Sequence, residues 1–182
     1  MNIIETGFQG LMVLEPKVFK DDRGYFYESY NAKTLDQHNI NYKFIQDNQA
    51  KSSYGVIRGL HYQLPPYAQT KLIRVIEGII LDVVVDLRKD MPTFGKYFSI
   101  ELTADNFMQL LIPKGFAHGY SVLSDTCIVQ YKCDHYYYPQ SEAGINMFDP
   151  KLSIDWKIPM EKSLISAKDK IWPMFDLAVY DF

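Results

Sequence analysis

Apolar and polar positions alternate through much of the chain. From Tyr97 to Thr103, Phe98, Ile100 and Leu102 fall on one side and Tyr97, Ser99, Glu101 and Thr103 on the other, the period of two expected of a half-buried strand. The run from Ile79 to Leu87 puts Ile79, Leu81, Val83, Val85 and Leu87 on one face and Asp82 and Asp86 on the opposite one, so it too reads as half-buried. Comparable runs predict strands at 11–19, 24–30, 42–50, 55–63, 70–77, 108–113, 117–123 and 126–134. Gly78, between the strands at 70–77 and 79–87, predicts a hairpin turn with the two strands paired antiparallel. Helix signals are sparse. Asn31 can cap a short helix reaching His38, and Ser163 or Ser166 can open a brief one near Lys168. With no repeat, linker or low-complexity stretch, the expectation for residues 1–182 is one all-β domain. Its strands would close into a small antiparallel barrel or sandwich able to hold one ligand.

Composition narrows the partners. Hydrophobic residues make up 47% and charged residues 23% of the chain, and the net charge is −3. That balance gives no bulk attraction to nucleic acid or to an anionic membrane, so phosphate binding would need a local group of cations. Asp82 and Asp86 interrupt the longest apolar run, and the N-terminus has no signal-peptide pattern, which predicts a cytoplasmic location. Cys127 and Cys133 sit six residues apart on one expected strand, roughly 20 Å at about 3.3 Å per residue. They cannot bridge each other, their spacing is not a zinc signature, and both read as reduced thiols.

Two histidines stand in segments that could deliver a ring to an interior. In Arg58-Gly59-Leu60-His61-Tyr62-Gln63, alternation sends Leu60 and Tyr62 one way and Gly59, His61 and Gln63 the other, with Gly59 leaving room beside His61. In Pro113-Lys114-Gly115-Phe116-Ala117-His118-Gly119, a Pro/Gly turn places His118 at the start of a strand. Either ring taken alone is equally a hydrogen-bonded structural histidine. Their joint spacing resembles the two signature stretches of cupin barrels, whose metal-binding members offer histidines and a glutamate where this chain has His61, Gln63, Lys71 and His118. An amide and an ammonium in those places disfavour a divalent cation, so no metal is expected. A base and a cation in one barrel suggest instead proton abstraction beside a carbonyl. His61 would be the base, and Lys71 the partner of the developing enolate oxygen. Such a base benefits from an orienting carboxylate, which spacing alone does not identify.

Six separated motifs answer that question by resemblance. They are Asp22-Arg23-Gly24-Tyr25-Phe26-Tyr27-Glu28, Gln46-Asp47-Asn48, Val56 through Gln63, Pro113 through Gly119, Tyr131-Lys132 followed by Tyr137-Tyr138-Pro139 and Glu142, and Ser166-Ala167-Lys168-Asp169. Along nearly its whole length the chain resembles the dTDP-4-dehydrorhamnose 3,5-epimerases. The resemblance implies a cupin-type (jelly-roll) barrel, a homodimer, no cofactor, and a dTDP-linked 4-keto-6-deoxy sugar as substrate. It also implies that His61 is the base, that Asp169 hydrogen-bonds it, and that Tyr131 donates a proton from the opposite face of the sugar, with Lys71 and His118 lining the sugar. Arg23 and Arg58 fall to the phosphates, where guanidinium forks pair well with phosphate oxygens. Glu28, Gln46, Asp47 and Asn48 fall to the nucleotide, Glu142 and Lys168 to the pocket rim, and Phe26 or Tyr138 to stacking on the base. The product would feed L-rhamnose synthesis for surface polysaccharide such as O-antigen.

Two positions depart from the family pattern: Gln49-Ala50 where His-Ser is common, and Tyr120 where Phe is common. Both touch substrate detail rather than reaction type. The rival readings are an epimerase acting at one carbon of a related nucleotide-linked sugar, a metal-dependent cupin enzyme, and a sugar-nucleotide binding module without activity.

Overall fold

The computed structural model describes residues 1–182 and is mostly β-strand. The strands are β1 (Asn2–Glu5), β2 (Met12–Glu15), β3 (Phe19–Asp21), β4 (Gly24–Phe26), β5 (Gln46–Ser53), β6 (Ile57–Gln63) and β7 (Lys71–Glu77). They continue with β8 (Ile79–Asp86), β9 (Tyr97–Thr103), β10 (Gln109–Ile112), β11 (Phe116–Val122), β12 (Thr126–Cys133) and β13 (Glu142–Gly144). A six-stranded sheet in the order β1-β2-β10-β7-β12-β5 faces a five-stranded sheet in the order β13-β6-β11-β8-β9, and β3 and β4 form a separate two-stranded arm. Antiparallel sheets packed face to face in this way form the cupin-like jelly roll that the sequence led us to expect.

Between the sheets, Val13, Ile73, Val75 and Leu110 from one side meet Ile80, Val84, Leu102 and Phe116 from the other in a dry core. The five-stranded sheet is also covered on its outer face. Leu60, Tyr62, Leu81, Val83, Val85 and Leu87 pack there against Ile145, Met147, Leu152, Trp156 and Phe175 of the C-terminal segment. Hydrogen bonds fasten this cover: Tyr62 Oη donates to Val179 O at 2.7 Å, and Ser121 Oγ to Trp156 O at 2.7 Å. Strand β8 is therefore buried on both faces rather than half-buried, and only Ile79 at its start is exposed. Its aspartates do not face solvent. Asp82 points into the barrel against His118, while Asp86 binds Arg88 and Thr93.

The outer face of the six-stranded sheet has a smaller cover. Leu14, Leu72 and Leu111 pack under Leu35 and Ile40 from the helix α1 (Ala32–Asp36) and its exit. As expected, Asn31 caps that helix, its Oδ1 accepting from the Thr34 N–H.

The hairpin expected at Gly78 does not form. Strand β7 belongs to the six-stranded sheet and β8 to the five-stranded one, so Gly78 is a corner at which the chain crosses between sheets. Its φ of +82° lies where glycine is favoured, and a Cβ there would meet Thr126 O at 2.1 Å. A turn glycine marks a change of direction, and the choice of sheet follows from where the next strand's two apolar faces find cover. The expected strand 11–19 is also divided: β2 ends at Glu15, and the chain resumes as β3 in the arm. Cys127 and Cys133 are both free and buried.

Candidate active site

At one end of the barrel the dry core gives way to a polar cavity of about 320 Å³, lined by Gln46, Asn48, His61, Tyr62, Gln63, Gln69, Lys71, Tyr131, Tyr137 and Glu142. His61 comes from β6 in the five-stranded sheet, and Lys71 and Tyr131 come from β7 and β12 in the six-stranded sheet. The histidine and the tyrosine thus enter from facing walls. On β6 the alternation read from sequence largely holds: Leu60 and the Tyr62 side chain are buried in the outer core while His61 and Gln63 reach the cavity, whose lining Tyr62 also touches. Gly59 serves a different neighbour from the one expected. A Cβ there would stand 2.6 Å from the Gly119 Cα, so this glycine permits β6 to approach β11.

His61 Nε2 lies 2.5 Å from Asp169 Oδ1. Asp169 opens a short 3-10 turn, Asp169–Ile171, and its backbone N–H donates to Ser166 Oγ at 3.0 Å. Burial alone would raise this carboxyl, but the hydrogen bond and charge of His61, with contributions from Ser166 and Trp172, hold it below the usual carboxylate range. A carboxylate 108 residues away in sequence thus orients the ring.

Burial pushes the Tyr131 hydroxyl up to about 12, which keeps it protonated at neutral pH. Burial likewise depresses the Lys71 ammonium, against the opposing pull of Cys133, Asp82 and Glu142. His118, the register partner of His61 on β11, lies deeper and does not line the cavity wall. Its Nε2 sits 3.1 and 3.0 Å from the two oxygens of Asp82, beside a small void shared with Lys71 and Gln63. Asp82 escaped the sequence reading because its strand looked half-exposed.

Glu142 joins three segments at the mouth. It accepts from Tyr137 Oη at 2.7 Å and from Lys168 Nζ at 2.5 Å, and its carboxyl is lowered because these two bonds outweigh burial. Tyr137 belongs to one of the family motifs, yet its place in a run of three tyrosines without periodicity assigns it no role from sequence. Gln63, at a place where a metal-binding cupin has a ligand, spends its amide on the surrounding loops. It donates to Tyr67 O and Tyr136 O and accepts from the Tyr138 N–H. Tyr138 stacks on Tyr67 with centroids 3.9 Å apart, outside the cavity lining. No group of three His, Cys, Asp or Glu side chains is arranged to hold a metal ion.

Several expected contacts are not brought together. Gln46 and Asn48 face the cavity, but alternation turns Asp47 outward, where it pairs with Lys132 at 2.9 Å. Arg58 is exposed and donates to Ser52 Oγ. Arg23 and Phe26 lie on the β3–β4 arm along a separate groove of about 520 Å³, with Arg23 paired to Asp21 and Phe26 68% exposed. Glu28 accepts from Asn31 at another surface hollow. The sequence motifs grouped these residues with the site; within one chain Arg23, Phe26 and Glu28 lie apart from it and Asp47 faces outward, whereas Arg58 stays near enough for its charge to act on Tyr131.

A jelly-roll barrel with a histidine–carboxylate pair facing a tyrosine and a lysine across a polar cavity is a cupin-type protein equipped to move protons on a small bound molecule. The family model described as dTDP-4-dehydrorhamnose 3,5-epimerase matches residues 5–176. A dTDP-4-dehydrorhamnose 3,5-epimerase of Escherichia coli K12 is 49% identical over 173 residues, covering 93% of this chain and 92% of its own. A crystal structure of the Bacillus anthracis dTDP-4-dehydrorhamnose 3,5-epimerase with TDP and PPi bound has a TM-score of 0.93 and 48% identity, covering 96% of this chain and 99% of its own. A Legionella pneumophila dTDP-6-deoxy-D-glucose-3,5-epimerase in complex with dTDP-4-keto-L-rhamnose has a TM-score of 0.92 and 45% identity, covering 97% and 93%. The chain belongs to the dTDP-4-dehydrorhamnose 3,5-epimerase family and is an isomerase. No helix is long and apolar enough to cross a membrane.

Proposed function

We propose that the protein epimerises C3 and C5 of dTDP-4-dehydro-6-deoxy-D-glucose, giving dTDP-4-dehydro-β-L-rhamnose. The observation that carries this reading is the entry of His61 and Tyr131 into one cavity from facing sheets. A proton next to the C4 ketone is acidic because its loss gives an enolate. His61, oriented by Asp169, takes that proton from one face of the ring. Lys71 stabilises the enolate oxygen as negative charge develops. Tyr131, held protonated by burial, returns a proton to the other face, and the carbon is inverted. The ketone activates both neighbouring carbons, so one set of groups serves C3 and C5 in turn.

The nucleotide completes the reading and favours a homodimer. Arg23 and Phe26 have the chemistry to hold a phosphate and a base, yet they project on an exposed arm away from their own cavity. In the dimer, each arm reaches the cavity mouth of the other copy, where the sugar nucleotide emerges. Light scattering gives the mass. The arm's role is tested by co-producing an Arg23→Ala chain with a His61→Ala chain, which should restore activity in the mixed dimer, because one of its sites then has an intact cavity and an intact arm.

The reaction itself is tested by incubating dTDP-4-dehydro-6-deoxy-D-glucose in D2O and reading label by NMR and mass spectrometry. Deuterium at C3 and C5 is expected. Label at one carbon would make the protein a single-site epimerase, and none would refute the assignment.

A further inference from the structure

The residue directly after the Asp169 turn has no part in the scheme above, yet it stands against both members of the histidine–carboxylate pair. The Trp172 indole meets the His61 imidazole edge to face, with centroids 6.1 Å apart and planes at 68°. Room for it comes from Gly144, which is opposite His61 in the β13–β6 register. A Cβ on Gly144 would lie 2.5 Å from the indole Cδ2 and 2.6 Å from Cε2, so the ring occupies the space a side chain would otherwise fill. The chain just beyond is tied down by the Asn146 N–H, which donates to Pro173 O at 2.8 Å. The indole Nε1 is buried without a hydrogen-bond partner within ordinary distance, and it is close enough to Asp169 to help lower that carboxyl.

We propose that Trp172 is a positioning residue for the His61–Asp169 pair, its indole filling the space left by Gly144 so that the imidazole is walled on one side and the carboxylate is held toward it. A histidine that must take a proton from a carbon has little tolerance for misplacement, since about 1 Å can cost roughly a hundredfold. The hydrogen bond to Asp169 fixes one edge of the ring but leaves it free to swing about that bond. A rigid aromatic wall removes that freedom. Nothing in the local sequence announces this role, because Trp172 lies in an irregular segment with neither strand nor helix period.

The role in turnover rests on the proposed epimerase reading, so the first measurement needs no substrate. Indole emission responds to the groups the ring touches, and Trp172 and the buried Trp156 are the chain's two tryptophans. At one fixed pH, His61→Asn should shift the emission of the wild-type protein, and the same substitution should leave the emission of Trp172→Phe unchanged. No shift in the first comparison, or an equal shift in both, overturns the contact on which the proposal stands.

The second measurement uses the C3 and C5 exchange assay. Trp172→Phe keeps a ring but loses the N–H and part of the wall. It should lower kcat roughly tenfold, short of the hundredfold bound above, with KM unchanged. Gly144→Ala should lower kcat similarly in the wild-type background but have no further effect beside Trp172→Ala, the non-additivity expected of residues sharing one space. Wild-type kcat in Trp172→Phe, or additive losses in the double variant, would make Trp172 mere filler. Failure of all exchange in the wild-type protein would refute the epimerase reading while leaving the emission test standing.

Discussion

His61 and Lys71 face one cavity from opposite sheets, yet the two walls hold their polar groups by different means. The five-stranded sheet is sealed on its outer side by the C-terminal segment, and that same segment supplies Asp169 to His61. The six-stranded sheet presents Lys71 and Tyr131, whose ionisation is set first by loss of water. One wall orients a group by a hydrogen bond, and the other tunes its groups by burial. The difference matches what the proposed steps need. A base must aim at one hydrogen on carbon, so its direction matters most. A proton donor and an enolate partner must hold the right charge state in a dry place, so desolvation matters most.

The sharpest way to break this contrast is to remove the aimed group. His61→Ala should cost roughly 10²–10⁴-fold in turnover, the range expected of a positioned general base, and deuterium should enter neither C3 nor C5. Tyr131→Phe should separate two events that the wild-type protein couples. With His61 intact, a proton can still leave and return on the same face, so label continues to enter the substrate. Inverted product should fall by about 10²-fold or more. Equal loss of exchange and inversion in Tyr131→Phe would place both events on one face and remove the reason for two walls.

The two walls also differed in how far they could be read from sequence. On β6, the alternation of Leu60 and Tyr62 with His61 and Gln63 separates core from cavity by geometry alone. On β8, the same reasoning placed Asp82 and Asp86 toward solvent, because a polar face inside a barrel and a polar face in water share one pattern. The second cover that makes β8 wholly buried comes from residues 145–182, too far along the chain for a local period to register. Asp169 was reachable only through the family motif, since no spacing rule connects it to His61. The motifs erred in the opposite direction at Asp47, where they grouped three consecutive residues although a strand can send only alternate ones into a pocket. They also grouped Arg23 and Phe26 with a cavity that their own chain's arm does not reach.

Asp169→Asn tests the oriented wall without removing the base. The amide can still hydrogen-bond the ring but cannot stabilise its charged form. Turnover should fall, though by roughly one to two orders of magnitude less than in the His61 variant, as with the third member of hydrolase triads. A stability signature accompanies this. The folded-state carboxyl lies below its ordinary value, so the pair's stabilisation is fully present above an unfolded-state pKa of about 3.9. It is lost as pH falls through the lower folded-state value. Wild-type protein should therefore melt higher than Asp169→Asn at pH 7, with the gap closing below about pH 4. A gap that widened on acidification would contradict the pairing.

The smallest effect concerns the desolvated wall and has the opposite sign. Burial lowers the Lys71 ammonium from its usual value, so the folded chain holds the charged form of Lys71 less readily than water would. Lys71→Met fills similar space without that cost and should abolish enolate stabilisation while raising the melting temperature by roughly 3 °C, the shift that about 1 kcal/mol produces in a chain of this size. Between the depressed folded-state pKa and the unfolded value near 10.4, the unfolded chain binds more protons at Lys71 than the folded one, so wild-type stability rises with pH across that window. The advantage of Lys71→Met should accordingly be greatest at neutral pH and shrink toward about pH 10. A variant that is less stable than wild type at pH 7 would mean that Lys71 earns its place by structural pairing, and the division between an oriented wall and a desolvated wall would fail at its second member.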